Sequence, residues 1–427
     1  MTRQTAHAVN DDSQEAVGPN CRFCGAHCTQ LFVDLGLSPL CQTQIPPERL
    51  DHGESFYPLR VFVCGECFLV QLAEYVSREV IFGADYPYFS SYSSSWVTHA
   101  KNYVEAMLAD HGISRDSFVV EVASNDGYLL QHFVKAGVPC LGIEPAHGVA
   151  DAARANGIET VSRFFGRQTA AEVAAEYGKA DLVLGNNVLA HVPDLNDFVG
   201  GLHDLVADDG LITMEFPHLI RLMESNQFDT IYHEHFSYFS FSTVDRVFAH
   251  HGLLIFDVEE IPTHGGSLRI YAARAKTSGR SRSSRAAELL ERERRLGAGS
   301  IRFYASFDEQ VRETKRALLE FLIAAKRERK RVVGYGAPGK GNTLLNYCAI
   351  RQDFLDYTVD RNPRKQGTYT PGTRIPIYDP AVIDDTKPDY ILILPWNLER
   401  EIVSSMAHVR EWGCRFVVPI PTVRVVD

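Results

Sequence analysis

The chain has 427 residues, of which 45% are apolar and 23% charged, and carries a formal net charge of −11. Length and composition fit a globular protein of two to four domains with ample apolar surface for its cores. The acidic balance argues against a broad nucleic-acid surface, and no apolar run is long enough to span a bilayer, so neither nucleic acid nor membrane is expected as a partner.

Residues 1–19 are polar and lack an apolar signal core, and read as a disordered lead-in of a cytoplasmic protein. Two Cys-x-x-Cys turns follow, Cys21 with Cys24 and Cys64 with Cys67. Each turn places two thiolates on one side of a tight loop, and two such knuckles complete a closed tetrahedral zinc site. A closed site has no position open to water, so its expected role is structural. The competing reading is a pair of disulfides or redox dithiols, but disulfides need an oxidising compartment and nothing here suggests export. The remaining cysteines, Cys28, Cys41, Cys140, Cys348 and Cys414, are scattered and odd in number, as reduced cytosolic thiols would be. Residues 20–75 therefore form a zinc-binding module, with short strands at Leu31–Val33 and Arg60–Val63. A core of that size needs a metal to stay folded.

Residues 76–282 change texture. Strands are expected at Phe118–Ala123, Cys140–Glu144, Asp181–Gly185, Leu211–Glu215 and Gly265–Ala273. A Ser-Asn-Asp-Gly turn after the first of these leads into a helical pattern at Tyr128, Leu129, His132 and Phe133. Strands alternating with helical stretches predict a doubly wound parallel sheet. Residues 283–330 are a helical connector. Ser306 and Glu309 make a capping-box pattern, Phe307, Val311, Leu318, Leu322 and Ala325 share one face, and the basic cluster Lys326–Arg331 reads as a solvated helix end. Residues 331–427 hold a second α/β unit, with strands at Arg331–Tyr335, Phe354–Val359, Tyr390–Leu394 and Arg415–Val418. The expected architecture is α/β: a small zinc-binding N-terminal module followed by two doubly wound Rossmann-like domains.

Three segments carry chemistry. Glu121-Val-Ala-Ser-Asn-Asp-Gly127 is a strand-to-turn-to-helix junction without the Gly-x-Gly-x-x-Gly of a dinucleotide site. Asp126 would repel a pyrophosphate but suits a cationic, amino-acid-bearing ligand, and Glu144, ending the next strand, can accept both hydroxyls of a ribose. Together they suit S-adenosylmethionine (SAM); the bland alternative is an ordinary α/β loop with an accidental acid. Phe164 in Ser162–Phe165 either flanks an adenine or packs in the core. Tyr232-His-Glu-His235 follows the strand ending at Glu215, on the rim where α/β sites form. A histidine suits general-base work near neutral pH, and the spacing lacks the i,i+4 of a helical zinc site; the alternative is a polar loop without a task. Asn186-Asn-Val-Leu-Ala-His191 reaches the same rim. Asp85–Trp96 is dense in aromatics and hydroxyls, fit either to stack on a sugar or to pack as a linker. The third segment, Gly334-Tyr-Gly-Ala-Pro-Gly-Lys-Gly-Asn-Thr343, leaves backbone N–H groups facing an anion at a helix N-terminus, with Lys340 adding charge. With Asp360–Lys365 it makes a diphosphate pocket, a simple dinucleotide site or a tight structural turn.

These segments, taken in chain order, resemble the SAM-dependent C-methyltransferases that act on dTDP-4-keto-deoxysugars. The resemblance spans nearly the whole chain and rests on the paired Cys-x-x-Cys, Glu-Val-Ala-Ser-Asn-Asp-Gly, Asp-Tyr-x-Tyr-Phe-Ser-Ser-Tyr, Asn-Val-Leu-Ala-His-Val, Tyr-His-Glu-His-Phe-Ser-Tyr-Phe and Gly-Tyr-Gly-Ala-x-x-Lys-Gly. It implies a structural zinc, a central SAM domain and a C-terminal α/β domain, with the dTDP-sugar in the cleft between the last two. A monomer is the expected state. The resemblance implies His235 as base, with Tyr86, His191, Tyr232 and Glu234 as the other active-site positions. Expected SAM contacts are Glu121, Ala123, Asn125, Asp126, Gly127, Glu144, Phe164 and Asn186. Expected sugar-nucleotide contacts are Tyr88, Tyr92, Gly336, Lys340, Asn342 and Arg361. Two rivals are an NAD(P)-dependent sugar-nucleotide oxidoreductase using the Gly334–Gly341 loop, against which the Asp126 turn counts, and a zinc-ribbon nucleic-acid methyltransferase, against which the acidic balance counts.

Overall fold

Runs of β-branched and aromatic residues form the strands, and their burial fixes how the domains meet. The computed structural model describes residues 18–83 and 89–426. The lead-in up to residue 17 and the candidates Tyr86 and Tyr88 lie outside the described residues. The N-terminal strands β1 (Gln30–Ser38), β2 (Tyr57–Val63) and β3 (Val70–Leu72) pair antiparallel. Successive strand residues face opposite sides, and β2 uses both. Val61 and Val63 join one core with residues of the C-terminal domain, whereas Phe62, Cys64 and Leu69 join the core of the central domain. The zinc module is thus a wedge shared by the other two domains.

The central domain contributes β4 (Val119–Val122), β5 (Cys140–Ile143), β6 (Thr160–Val161), β7 (Ala180–Asn186), β8 (Val206–Pro217), β9 (Ser237–Tyr238), β10 (Leu253–Ile261) and β11 (Ser267–Arg274). Seven of these form a sheet in the order β10-β11-β8-β7-β4-β5-β6, parallel except that β11 runs antiparallel between β8 and β10. The strand order reverses between β4 and β7, and ligands of such sheets bind outside the strand ends at that point. The turn after β4, Glu144 after β5 and Asn186 at the end of β7 therefore share one rim. The eighth strand, β9, leaves this domain and pairs with β3, completing the zinc module's sheet.

The C-terminal strands are β12 (Val332–Tyr335), β13 (Thr358–Val359), β14 (Ile377–Tyr378), β15 (Tyr390–Ile393), β16 (Arg415–Val418) and β17 (Arg424–Val426), in the order β14-β13-β12-β15-β16-β17 and parallel except for β17. Its switch point lies between β12 and β15, beside the Gly334–Lys340 loop. The strand expected over 354–359 shrinks to Thr358–Val359, because Phe354 and Leu355 turn back to bond Arg351. The connector consists of helices Ser284–Leu296, Ile301–Tyr304 and Phe307–Arg327. The last buries Phe307, Val311, Thr314, Leu318, Leu322 and Ala325. The expected capping box does not form: Ser306 already has helical dihedrals, φ −86° and ψ −11°, and its side chain makes no capping bond, since an N-cap needs extended backbone. Lys326 and Lys330 pair with Asp356 and Asp389 at the helix end. No helix among the described residues is long and apolar enough to cross a membrane.

Candidate active site and zinc centre

The four Sγ atoms of Cys21, Cys24, Cys64 and Cys67 lie within 4.8 Å of one another. Cys21 and Cys67, and Cys24 and Cys64, approach to 3.5 Å, close to the ~3.8 Å edge of a tetrahedron with 2.3 Å zinc–sulfur bonds. The two knuckles match: the residue after each second cysteine, Gly25 (φ +77°) and Phe68 (φ +63°), is left-handed, turning the chain so that its N–H returns to the first cysteine's carbonyl. The thiolates fit zinc and leave no side for water. Zinc would staple the knuckles, and the chemistry must come from elsewhere.

That chemistry centres on a cavity of about 420 Å³ between the central and C-terminal domains, reached also by the zinc module. At the rim formed by the ends of β4, β5 and β7 the β4–helix turn carries left-handed Ala123, Asn125 and Gly127 (φ +57°, +51° and +79°). A Cβ on Gly127 would sit 2.1 Å from Ile158 Cδ1, so glycine is required there. Ala123, Asn125, Glu144, Phe164 and Asn186 line the cavity. The Glu144 carboxylate accepts the backbone N–H groups of Asn125 (3.0 Å) and Ala146 (2.9 Å), one on each oxygen. Burial pushes its carboxyl up to about 7, against the pull of those two N–H groups. Both polar atoms of Asn186 are buried without a partner among the described residues. Three expected contacts shape the turn and do not line the cavity. Gly127 packs on Ile158. Asp126 accepts the backbone and hydroxyl of Ser91. Glu121 is fully buried beneath the turn, where burial and then the charges of Glu144 and Asp126 push its carboxyl well above the usual range.

The segment facing this rim is Phe228–Tyr238. The Nδ1–H of His235 donates to the carbonyl of Thr230 at 2.8 Å, so Nε2 is the lone-pair nitrogen of the neutral ring. Burial, then the nearness of His191, holds the ring well below the ordinary 6.5. Its ring centroid is 4.1 Å from Tyr232 and 4.7 Å from His191. Burial lowers His191 to about 4. Cys41, on the zinc module, donates to Glu234 at 3.7 Å. The segment is held at its far end by backbone bonds from Phe236 N–H to Ala190 and from Leu72 N–H to Phe236, and by the β3–β9 pairing that follows.

At the C-terminal wall, Lys340 donates to Asn397 Oδ1 at 2.9 Å and lies 4.6 Å above the Trp396 ring. Lys340 lines the cavity; the three other C-terminal candidates do not. Gly336 is left-handed (φ +87°) and packed on Pro395. Asn342 donates to the Cys41 carbonyl at 2.7 Å. Arg361 is exposed and pairs with Glu401. Tyr92 is 61% exposed and stacks on Phe89, away from the cavity. Sequence reasoning missed Gln42, Asn187, His264 and Asn397, which do line it. Asn187 Nδ2 donates to His264 Nε2 at 3.0 Å, and both residues are left-handed. The Pro-Thr-His-Gly-Gly turn was the available signal for His264; Gln42 arrives from the zinc module through long-range packing that leaves no local pattern.

The protein thus joins a four-cysteine centre to two doubly wound sheets, with a buried histidine facing the cavity between them. A model described as the C-methyltransferase C-terminal domain matches residues 262–421, a methyltransferase-domain model residues 100–257, and a zinc-binding-domain model residues 21–82. The chain is 37% identical over 419 residues to the C-methyltransferase NovU of Streptomyces niveus, covering 97% of this chain and 99% of that protein. It belongs to this family and is a SAM-dependent C-methyltransferase with a zinc-binding domain. Among solved structures, it is similar to the magnesium protoporphyrin IX methyltransferase of Synechocystis PCC 6803 with bound SAM (16% identity, 42% of this chain and 79% of that one, TM-score 0.32). It is also similar to an S-adenosylmethionine-dependent methyltransferase of Clostridium acetobutylicum (9% identity, 42% and 91%, TM-score 0.33).

Proposed function

We propose that the protein transfers the SAM methyl group to the ring carbon next to the keto group, carbon 3, of a dTDP-linked 4-keto-deoxysugar, in deoxysugar and antibiotic biosynthesis. The observation that carries this reading is the tautomer of His235: its Nδ1–H is committed to Thr230, and the ring lines the same cavity as the Glu144 rim and Lys340. The keto group acidifies the neighbouring C–H. His235 Nε2 takes that proton and the electron pair moves to the keto oxygen, where Tyr232 and His191, flanking the base, stabilise the charge. Glu234 supports the loop, and Tyr86 belongs to the same constellation by its motif. Bound SAM supplies an electrophilic methyl group on a cationic sulfonium, so the enolate carbon needs no metal to assist its attack, only alignment. Lys340 and the N-terminus of helix Gly339–Cys348 hold the diphosphate. In deuterated water without SAM, the wild-type enzyme is expected to exchange the hydrogen at carbon 3 of a dTDP-4-keto-6-deoxysugar. Exchange at no ring carbon, with the sugar nucleotide bound, would count against the enolate.

The cofactor half makes its own prediction. Glu144→Ala removes the carboxylate assigned to the ribose hydroxyls and leaves the N–H groups of Asn125 and Ala146 unpaired. SAM affinity measured by calorimetry should weaken by about 1–3 kcal/mol. An unchanged affinity removes Glu144 from the site.

A further inference from the structure

We infer that Asp229 and Trp396 are positioning residues for His235: the indole of Trp396, on the C-terminal domain, anchors Asp229, and so fixes the turn whose Thr230 carbonyl takes the Nδ1–H of His235. This inference rests on the reading of His235 as the base. Asp229 lies in the 3-10 turn Phe228–Thr230 and is fully buried. Its Oδ2 accepts the Trp396 Nε1–H at 2.7 Å, and its Oδ1 has no partner among the described residues. A buried carboxylate is costly to keep; burial pushes this one up to about 7, and Lys340 on the C-terminal domain, the Trp396 bond and the N–H groups of Asp229 and Thr230 pull it back. The turn closes without it. Its own bonds, from Thr230 N–H to Gln227, Ile231 N–H to Phe228 and the Thr230 hydroxyl to Gln227, close without the Asp229 side chain. What the carboxylate adds is a tie across the domain boundary. Phe228 and Ile231 already sit in the core cluster shared with the C-terminal domain, with Phe228 edge-on to Tyr347 at 5.3 Å. Those apolar contacts set the depth of the turn but not its rotation. The directional bond to Trp396 sets the rotation, and with it the direction of the next residue's carbonyl. The same Trp396 ring lies under the Lys340 ammonium, so the residue that orients the base and the residue assigned to the diphosphate share one contact. The C-terminal domain thereby takes part in the chemical step as well as in binding.

Trp396→Phe deletes the N–H and keeps an aromatic face under Lys340. It should lower kcat about 10- to 100-fold, the scale of losing an orienting partner, with the KM for the sugar nucleotide and the SAM affinity changed by less than about threefold. Asp229→Ala should match it, and Asp229→Asn, which keeps an acceptor for the indole, should recover at least about 10-fold of that loss. Because the pair acts through His235, adding Trp396→Phe to His235→Ala should cause no further loss. Wild-type kcat in Trp396→Phe, or the same fractional loss with and without His235, overturns the inference. Should Trp396→Phe fail to fold by circular dichroism, the Asp229→Ala and Asp229→Asn comparison decides, and equal kcat for the two overturns it. If His235→Ala itself methylates at the wild-type rate, it is the assignment of the base that has failed.

Discussion

Replacing His235 with alanine or asparagine is expected to slow methyl transfer by about 100- to 10,000-fold, the usual effect of removing a general base, with the fold and both ligands retained. Asparagine can still donate to the Thr230 carbonyl, so it tests the loss of Nε2 basicity with the loop's hydrogen bond preserved. The pH profile follows from the direction of the shift. A base works only unprotonated, and burial holds His235 well below 6.5. Its working fraction therefore stays near one across neutral pH, and the acid limb of kcat should begin below pH 6.5. The sign for stability is the same: with buried neutral His191 and His264 each near 4, the unfolded chain takes up protons below 6.5 that the folded chain refuses, so stability falls as pH drops. The limb must be read where circular dichroism shows the fold intact. Near-wild-type rates in the His235 variants would place the base elsewhere, with His191 next, since its Nδ1 is buried without a partner among the described residues. Loss of sugar-nucleotide binding along with activity would make His235 a binding residue.

Cys64→Ser should abolish both the fold of the N-terminal module and catalysis. Structural zinc in small domains contributes about 10–16 kcal/mol of coupled folding energy, as much as the whole stability of a typical domain. Here the loss should also spread. Leu72 bonds the carbonyl of Phe236, the residue after His235, and β3 pairs with β9 immediately beyond. Without the metal the Phe228–Tyr238 segment loses one of its anchors, so activity and the part of the near-ultraviolet circular dichroism due to the N-terminal module should fall together as zinc is stripped. Metal analysis should find one zinc per chain in fresh protein. Absence of zinc, or chelation that stops chemistry while the fold stays intact, contradicts the structural role.

Local chemistry made the two centres readable in the sequence. Cys-x-x-Cys turns, an acid ending the second strand at Glu144 and the Tyr-His-Glu-His run each declare themselves within a few residues. What was hidden is long-range. Ser237–Tyr238 has no strand pattern of its own and becomes β9 through pairing with Val70–Gln71. Thr160–Val161 is too short for a period to show. Cys41 and Gln42 belong to the zinc module by sequence, yet touch Glu234 and the cavity. The Ser306 pattern failed because the preceding helix Ile301–Tyr304 delivers the chain already helical. Lys340 lines the cavity, whereas Gly336 packs against Pro395 and Asn342, one turn into the helix Gly339–Cys348, bonds the Cys41 carbonyl.

The destination of the methyl group is the most direct test of the proposed chemistry. The purified enzyme incubated with methyl-13C SAM and a dTDP-4-keto-6-deoxysugar should give a product about 15 mass units heavier than the substrate (one 13CH2), judged by the chemistry of methyl transfer. Carbon NMR should show the labelled methyl bonded directly to the ring carbon beside the keto group. A label on oxygen, nitrogen or any carbon remote from the keto group, or no transfer to a bound keto-sugar nucleotide, would contradict it.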